Sequence, residues 1–265
     1  MTSGADRYVV LCYHDVEPQT RAAGGGPTRF STPTAMFERM LDTILEHGYR
    51  GCSLAEARAR PGTRRVAITF DDANIGQYAQ AVPALRARDM SATIYVCTEW
   101  IGRPGFMSWD DLRAARDAGI SIQSHTRSHP FLSELGEAAL RRELAESKER
   151  LDRELGQETN EIAFPGGDAP QRRLRSLIWD CGYTTAVGTR WGLNADDADP
   201  HRFVRRCTVR GDISVRDATR LIAGDAWLGV ARNASEMVLR NLRTFLGASR
   251  YARARKRALD LLSGE

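Results

Sequence analysis

Short apolar segments alternate with amphipathic segments along most of the 265-residue chain. The apolar segments are rich in β-branched and aromatic residues, and their length is typical of buried strands. The amphipathic segments carry apolar residues at spacings of three and four, as expected of helices that pack along one face. The predicted strands cover residues 8–13, 65–70, 92–97, 120–123, 161–164, 184–187 and 203–209.

Helices are predicted between and after these strands. Ser108, with Asp111 three residues later, is a capping-box variant that starts one of them, and Gly119 ends it. Because strands alternate with helices through most of the chain, the pattern favours parallel βα units and an α/β barrel. The predicted helices cover residues 35–47, 77–88, 108–118, 134–155, 172–181, 215–222 and a long stretch over 234–262.

Composition narrows the classes of protein that fit this pattern. The net charge of +4 is mild and comes almost wholly from arginine, so it does not indicate a nucleic-acid partner. The five cysteines are scattered and include no CxxC pair, which indicates reduced core residues. The segment MTSGADRYVVLCYHDV lacks the basic start and apolar stretch of a secretory signal, and no run of about 20 apolar residues is present. We therefore expect a cytoplasmic protein.

Carboxylates and imidazoles follow several of the predicted strands. In a βα barrel, catalytic groups lie at the carboxyl ends of the strands, so these side chains are expected to share one mouth. They are Asp71 and Asp72 after strand 65–70, His125 and His129 after strand 120–123, and His14 and Asp15 after strand 8–13.

His125 and His129 are spaced so that both imidazoles can reach one ion, and an aspartate from another strand would complete a set of two histidines and one carboxylate. Adjacent aspartates at the end of a buried strand repel each other, and a bound cation would neutralise that repulsion. One aspartate would then remain as a base. Either motif alone is compatible with a polar surface loop, but together, at successive strand ends, they favour a divalent metal site.

Three segments carry a more specific resemblance. TFDD, SHTRSH about fifty residues later, and AFPGGD resemble the polysaccharide deacetylase family, the NodB-homology group also known as carbohydrate esterase family four. LCYHDV, SATIYV and MSWDDLRAARDAGISIQSH add to the resemblance, which covers roughly residues 8–210. It implies a distorted (β/α) barrel of that family's type, with about seven parallel strands, over residues 1–230. Residues 231–265 would form a C-terminal helical extension.

The resemblance also implies roles for individual residues. The implied cofactor is a divalent metal ion, with zinc expected and nickel, cobalt or manganese as alternatives. Thr126 would steady the loop between the two histidines. The implied metal ligands are Asp72, His125 and His129, the general base is Asp71, the arginine that orients the base is Arg206, and the backbone that helps to hold the oxyanion is Pro165–Gly166.

The general acid is less clear, because the late Leu-x-x-His motif of many family members is missing. No histidine follows His201. His14 is our substitute, since the YHDV segment places it at a strand end that faces the same mouth. The alternative is that His14 is a structural histidine.

The implied activity is the metal-dependent hydrolysis of an N-acetyl group on an amino sugar, which releases acetate. The alternatives are a catalytically silent carbohydrate-binding relative and an amidase or deformylase that acts on another small amide. The expected partner is an N-acetylated sugar, with no nucleic acid. The C-terminal segment interleaves arginines with apolar residues, so it suits either weak contact with an anionic membrane surface or packing on the barrel.

Overall fold

Strands and helices alternate along residues 7–17, 30–59, 64–195, 201–209 and 215–223, the part of the chain that the computed structural model describes. The strands are β1 (Arg7–Tyr13), β2 (Asp15–Glu17), β3 (Ser31–Pro33), β4 (Arg50–Cys52), β5 (Arg65–Asp71), β6 (Thr93–Val96), β7 (Ser121–Ser124), β8 (Glu161–Ala163), β9 (Thr185–Val187), β10 (Asn194–Ala195), β11 (Arg202–Val204) and β12 (Cys207–Thr208). The α-helices are α1 (Thr34–Glu46), α2 (Leu54–Ala59), α3 (Val82–Arg86), α4 (Trp109–Asp117), α5 (Glu137–Leu155), α6 (Ser176–Asp180) and α7 (Val215–Ile222).

A mostly parallel sheet curves into a nearly closed barrel. Its parallel strands follow the order β12, β1, β5, β6, β7, β8, β9 and β11. β4 pairs with the first half of β5, and β10 runs antiparallel to β1. Although β11 and β12 lie at opposite ends of the parallel order, only Arg205 and Arg206 separate them along the chain. This short crossing draws the two ends of the sheet together, and the predicted distorted (β/α) barrel is confirmed.

The barrel strands are buried along most of their length because both of their faces are covered. Every residue of β5 is buried, as is every residue of β1 except Arg7. On the outside of β8 and β9, helix α5 contributes Leu140 and Leu144 to an apolar cluster that includes Ile162 and Ala186. This packing fixes α5 next to the carboxyl ends of β7 and β8, where the candidate site lies.

Several element predictions are confirmed, and others need correction. The capping box of Ser108 and Asp111 starts α4 as predicted. The continuous strand predicted over 203–209 is wrong, because the chain crosses between the two ends of the sheet at Arg205 and Arg206. The helix predicted over 77–88 starts with a π-helical turn, Gln77–Ala81, before α3. β2, β3, β4, β10 and α2 were not predicted, since segments this short carry little periodicity.

The predicted extension over 231–265 and its helix over 234–262 lie outside the described residues. Among the helices that the structure describes, none combines the length and the hydrophobicity that a membrane span requires.

Candidate active site

The carboxyl ends of five neighbouring strands, β1, β5, β6, β7 and β8, surround most of the predicted site residues. Asp71 is the last residue of β5 and lies beside Tyr95 of β6. His125 directly follows β7, His14 directly follows β1, and the Pro165–Gly167 turn begins two residues after β8. Because these strands are parallel neighbours, their ends open on the same mouth.

Asp71 and Arg206 form a buried ion pair with two hydrogen bonds. Arg206 Nη1 donates to Oδ1 at 2.6 Å and Nη2 donates to Oδ2 at 2.8 Å, and both side chains are almost fully buried. Arg206 Nε donates to the Gly188 carbonyl at 3.0 Å, which fixes the plane of the guanidinium. Burial alone would raise the pKa of Asp71, but the Arg206 guanidinium beside it holds that pKa well below its usual range. Asp71 is therefore ionised at neutral pH.

Asp72, His125 and His129 bring one carboxylate oxygen and two ring nitrogens close to one another. Asp72 Oδ1 lies 3.5 Å from His125 Nε2 and 3.5 Å from His129 Nε2. The ligand atoms of the three side chains all lie within 4.8 Å of one another, and the two imidazole rings meet edge to face with centroids 5.0 Å apart. These are the three residues that the sequence predicted as metal ligands.

The protonation of His125 suits a metal ligand. Its Nδ1 lies 2.9 Å from the carbonyl oxygen of Ala163, the last residue of β8. A proton on Nδ1 satisfies that carbonyl and leaves the lone pair of Nε2 directed toward Asp72. Burial lowers the pKa of His125 to about 3 and also lowers the pKa of His129. Both rings are therefore neutral, as metal binding requires.

The environment of Asp72 tests whether a cation fits this set. Its Oδ1 atom is buried, and no hydrogen-bond donor among the described residues reaches it. Burial and the neighbouring Asp71 charge raise the pKa of Asp72 to about 7. A divalent cation would supply both the missing partner and the missing positive charge. Imidazole and carboxylate ligands suit zinc and the other first-row divalent ions, so the residues present fit such a group.

Backbone strain is concentrated around the same residues. Among the described residues, five that are not glycine have a positive φ, and four of these surround the site. A β-branched residue such as Thr126 is particularly unfavourable in this region. Strain of this kind persists only where surrounding contacts hold it, and it is common at functional sites. The four residues and their φ angles are Asp72 (77°), Ala73 (58°), Thr126 (70°) and His129 (65°).

The loop from His125 to His129 is held mainly by side chains. The hydroxyl of Thr126 accepts a hydrogen bond from the His129 amide at 3.1 Å, so Thr126 lies where its predicted role requires. Glu143 of α5 accepts hydrogen bonds from the amides of Arg127 and Ser128. Glu143 is not among the residues that the sequence predicts for the site. Its signal was a charged residue on the buried face of a helix, between Leu140 and Leu144.

Aromatic side chains line the mouth beside His129. The Trp100 ring stacks on the His129 imidazole with centroids 4.7 Å apart, and Phe106 packs against Trp100 at 5.1 Å. These contacts were not predicted, because Trp100 and Phe106 lie in an irregular segment after β6 without periodicity. They restrict the orientation of the more exposed of the two histidine rings.

His14 lies at the same mouth but does not contact the metal-ligand set directly. Its ring packs against Phe30 with centroids 4.8 Å apart, and its Nδ1 atom is buried and unpartnered among the described residues. Burial lowers the pKa of His14, although the Asp71 charge opposes that shift. The Gln77 side chain donates to the His14 carbonyl, which ties the end of β1 to the π-helical turn.

Pro165 and Gly166 form a tight turn next to the carbonyl that holds His125. Gly166 has a φ of +60°, and the amide of Gly167 bonds back to the Phe164 carbonyl at 2.8 Å. A Cβ atom at Gly166 would lie 3.2 Å from the Phe131 ring, so glycine suits both the backbone conformation and the close packing at this position.

Sequence comparison links the segment that carries these residues to known proteins. A sequence model of the polysaccharide deacetylase family matches residues 58–186. YxkH of Bacillus subtilis (strain 168), which its name assigns provisionally to the polysaccharide deacetylases, is 29% identical over 194 residues. That match covers 71% of this chain and 66% of YxkH, so the chain spans slightly less than two thirds of this relative.

Solved structures share the fold. The Streptococcus pyogenes deacetylase PplD, solved in complex with acetate, superposes with a TM-score of 0.72 at 23% identity over 82% of this chain and 98% of that chain. BC0361, a polysaccharide deacetylase from Bacillus cereus, gives a TM-score of 0.71 at 22% identity over 82% of this chain and 69% of that chain. The match over residues 58–186 contains both aspartates, both histidines and the Pro165–Gly166 turn, so the segment that carries the candidate site is similar to the polysaccharide deacetylase family.

Proposed function

We propose that this chain is a metal-dependent hydrolase that removes an N-acetyl group from an amino sugar and releases acetate. The observation that carries the proposal is that two adjacent aspartates at the end of β5 have different partners. Asp72 Oδ1 lies 3.5 Å from the Nε2 atoms of both His125 and His129, whereas Asp71 is bound to Arg206. These different surroundings support a division of roles, in which Asp72 binds a cation and Asp71 acts as a base.

Asp72, His125 and His129 would hold the divalent ion, zinc being the expected one. When bound, the ion would act as a Lewis acid toward the acetyl carbonyl and would lower the pKa of the attacking water.

The side chains around this centre supply the proton transfers. Asp71 is ionised and accepts a proton from the attacking water, while Arg206 holds its carboxylate in one orientation. The Pro165–Gly166 turn lies beside the carbonyl that supports His125. The backbone N–H of Gly166 is our candidate donor to the developing oxyanion. His14 is our candidate to protonate the departing amine. The products are acetate and a free amino sugar.

The same observation weighs against a catalytically silent carbohydrate-binding relative. Binding a sugar requires neither a complete set of metal ligands nor an ionised carboxylate next to it. Keeping Asp71 charged in a buried site depends on Arg206, whose own burial also has a cost in free energy. A buried ion pair with this cost in free energy is expected where the carboxylate takes part in a reaction.

An acetate-release assay tests the proposal. The purified chain, loaded with zinc, would be offered free, nucleotide-linked, lipid-linked and polymeric N-acetylhexosamines, together with an N-formylated amino sugar. Acetate release from at least one N-acetylated substrate is expected. It should disappear in Asp71→Asn and persist in Asp110→Asn, a matched change at an exposed aspartate of α4. Formate release without acetate release would instead favour the deformylase alternative.

A further inference from the structure

The loop that carries both histidine ligands has an unusual pattern of amide hydrogen bonds. Four consecutive amides, those of residues 126 to 129, all donate to side chains. The Thr126 amide donates to the hydroxyl of Ser124, and the His129 amide donates to the hydroxyl of Thr126. The two amides between them, those of Arg127 and Ser128, donate to one carboxylate oxygen of Glu143, at 3.0 and 2.8 Å.

Burial and a further hydrogen bond hold the Glu143 side chain in this position. It lies on the buried face of α5, and only 6% of the residue is exposed. Its second carboxylate oxygen accepts a hydrogen bond from the Ser128 hydroxyl at 2.6 Å. One turn further along α5, the Ser147 hydroxyl bonds to the Ser124 hydroxyl at 2.7 Å. Both side chains therefore attach the histidine loop to the same rigid helix.

The opposite side of the loop is also fixed. The carbonyls of Thr126 and Arg127 accept hydrogen bonds from the amides of Thr98 and Glu99 in the segment after β6. The loop is thus held between α5 and the end of β6, with Thr126 and His129 at positive φ. Without Glu143, two consecutive amides would lose their partner and the strained backbone could relax away from Asp72.

We propose that Glu143, supported by Ser147, is a positioning residue that sets the affinity of the site for its metal ion. Glu143 acts through the backbone and does not itself contact the ion. This inference rests on the proposed function, because it requires that Asp72, His125 and His129 bind an ion. Residues that orient metal ligands in this way typically change metal affinity by about 10- to 100-fold when they are replaced.

Chelator competition with Zn²⁺ on the whole chain, with Co²⁺ absorption spectra alongside, tests the inference. Glu143→Met keeps the length of the side chain and removes every acceptor, so we expect metal affinity to fall by about 10- to 100-fold. Glu143→Gln should restore affinity, because its amide oxygen can accept from the two amides while its NH₂ group donates to Ser128. Glu149→Met is the matched control, because Glu149 lies on the same helix and is exposed.

The outcomes separate this inference from its alternatives. A purely structural role would lower the free energy of unfolding of Glu143→Met without changing the metal affinity of the folded chain, and that result would overturn the inference. If Glu143→Met does not fold, Ser147→Ala replaces it, with an expected loss of about tenfold in metal affinity; an unchanged affinity would be equally decisive against us. A wild-type chain that binds no Zn²⁺ would overturn the proposed function and this inference together.

Discussion

The guanidinium of Arg206 and the carboxylate of Asp71 face each other across the barrel with paired contacts of 2.6 and 2.8 Å, and neither side chain is appreciably exposed. Arg206 comes from the short crossing between β11 and β12, whereas Asp71 ends β5. The pair therefore links the crossing that nearly closes the barrel to the strand that carries the candidate base. We therefore expect this ion pair to affect both the stability of the fold and the activity, and suitable variants can separate the two effects.

Replacing Arg206 alone should destabilise the fold strongly. Arg206→Met leaves Asp71 as a buried charge without its partner, which typically costs about 3–5 kcal/mol. Replacing both members, as Arg206→Met with Asp71→Leu, should recover much of the free energy of unfolding because neither member of the pair then leaves an unpaired buried charge. Acetate release should stay absent in the double variant. Denaturant unfolding checks the first two statements, and a double variant no more stable than Arg206→Met would contradict this account of the pair.

Replacing Asp71 and replacing Asp72 should impair different properties of the protein, turnover in the first case and metal affinity in the second. Asp71→Asn removes the base but leaves Asp72 and both histidines in place, so turnover should fall by at least about 100-fold while the metal remains bound. Asp72→Asn removes the carboxylate that lies 3.5 Å from both ring nitrogens, so metal affinity itself should fall. Metal content after dialysis, measured beside acetate release, distinguishes them. Equal metal loss in the two variants would refute the division of roles.

His14→Ala tests the general acid. If His14 protonates the departing amine, turnover should fall by about 100-fold with metal content unchanged. His47→Ala is the control, since His47 is an exposed histidine at the end of α1 whose Nδ1 lies 2.9 Å from the Thr43 carbonyl oxygen. If His14→Ala keeps wild-type turnover but melts at a lower temperature, His14 is structural and another group supplies the proton.

The buried Glu161 should make folding stability depend on pH. Burial raises its pKa from 4.5 to about 7, although the hydrogen bond from the Tyr95 hydroxyl, at 2.8 Å, partly opposes that shift. Between these two pH values the folded chain binds more protons than the unfolded chain, so the free energy of unfolding should fall as the pH rises through this window. A shift of this size corresponds to about 3 kcal/mol.

Glu161→Gln keeps an acceptor for Tyr95 and cannot ionise. The variant should therefore be more stable than the wild type at pH 8 and similar to it at pH 4.5. Denaturant unfolding at several pH values measures the difference. Parallel stability curves for the two proteins across this range would show that Glu161 does not titrate as described.

The strand ends, and the residues that they bring together at the candidate site, could be predicted because they depend on local signals. β5 is a largely apolar run that ends at Asp71 and is followed directly by Asp72, and the spacing of His125 and His129 is visible without a structure. The capping box at Ser108 is equally local and is confirmed. In the same way, alternation of strands and helices was sufficient to predict the class of fold.

Features that depend on distant contacts could not be predicted in this way. Residues 203–209 have the composition of one strand, and only the closing of the barrel divides them at Arg205 and Arg206. The support of His125 by the Ala163 carbonyl uses a backbone atom, which leaves no mark in the sequence. Glu143 resembles the other charged residues of a polar helix until the histidine loop is placed against it.

We propose that a divalent ion held by Asp72, His125 and His129 makes this chain a carbohydrate N-deacetylase. The most direct test is to strip the protein of metal and titrate Zn²⁺ back while acetate release from N-acetylhexosamine substrates is followed. Acetate release should rise with added ion and level off at about one equivalent per chain, and His125→Ala should show neither binding nor release. Full acetate release by the metal-free protein would contradict the account.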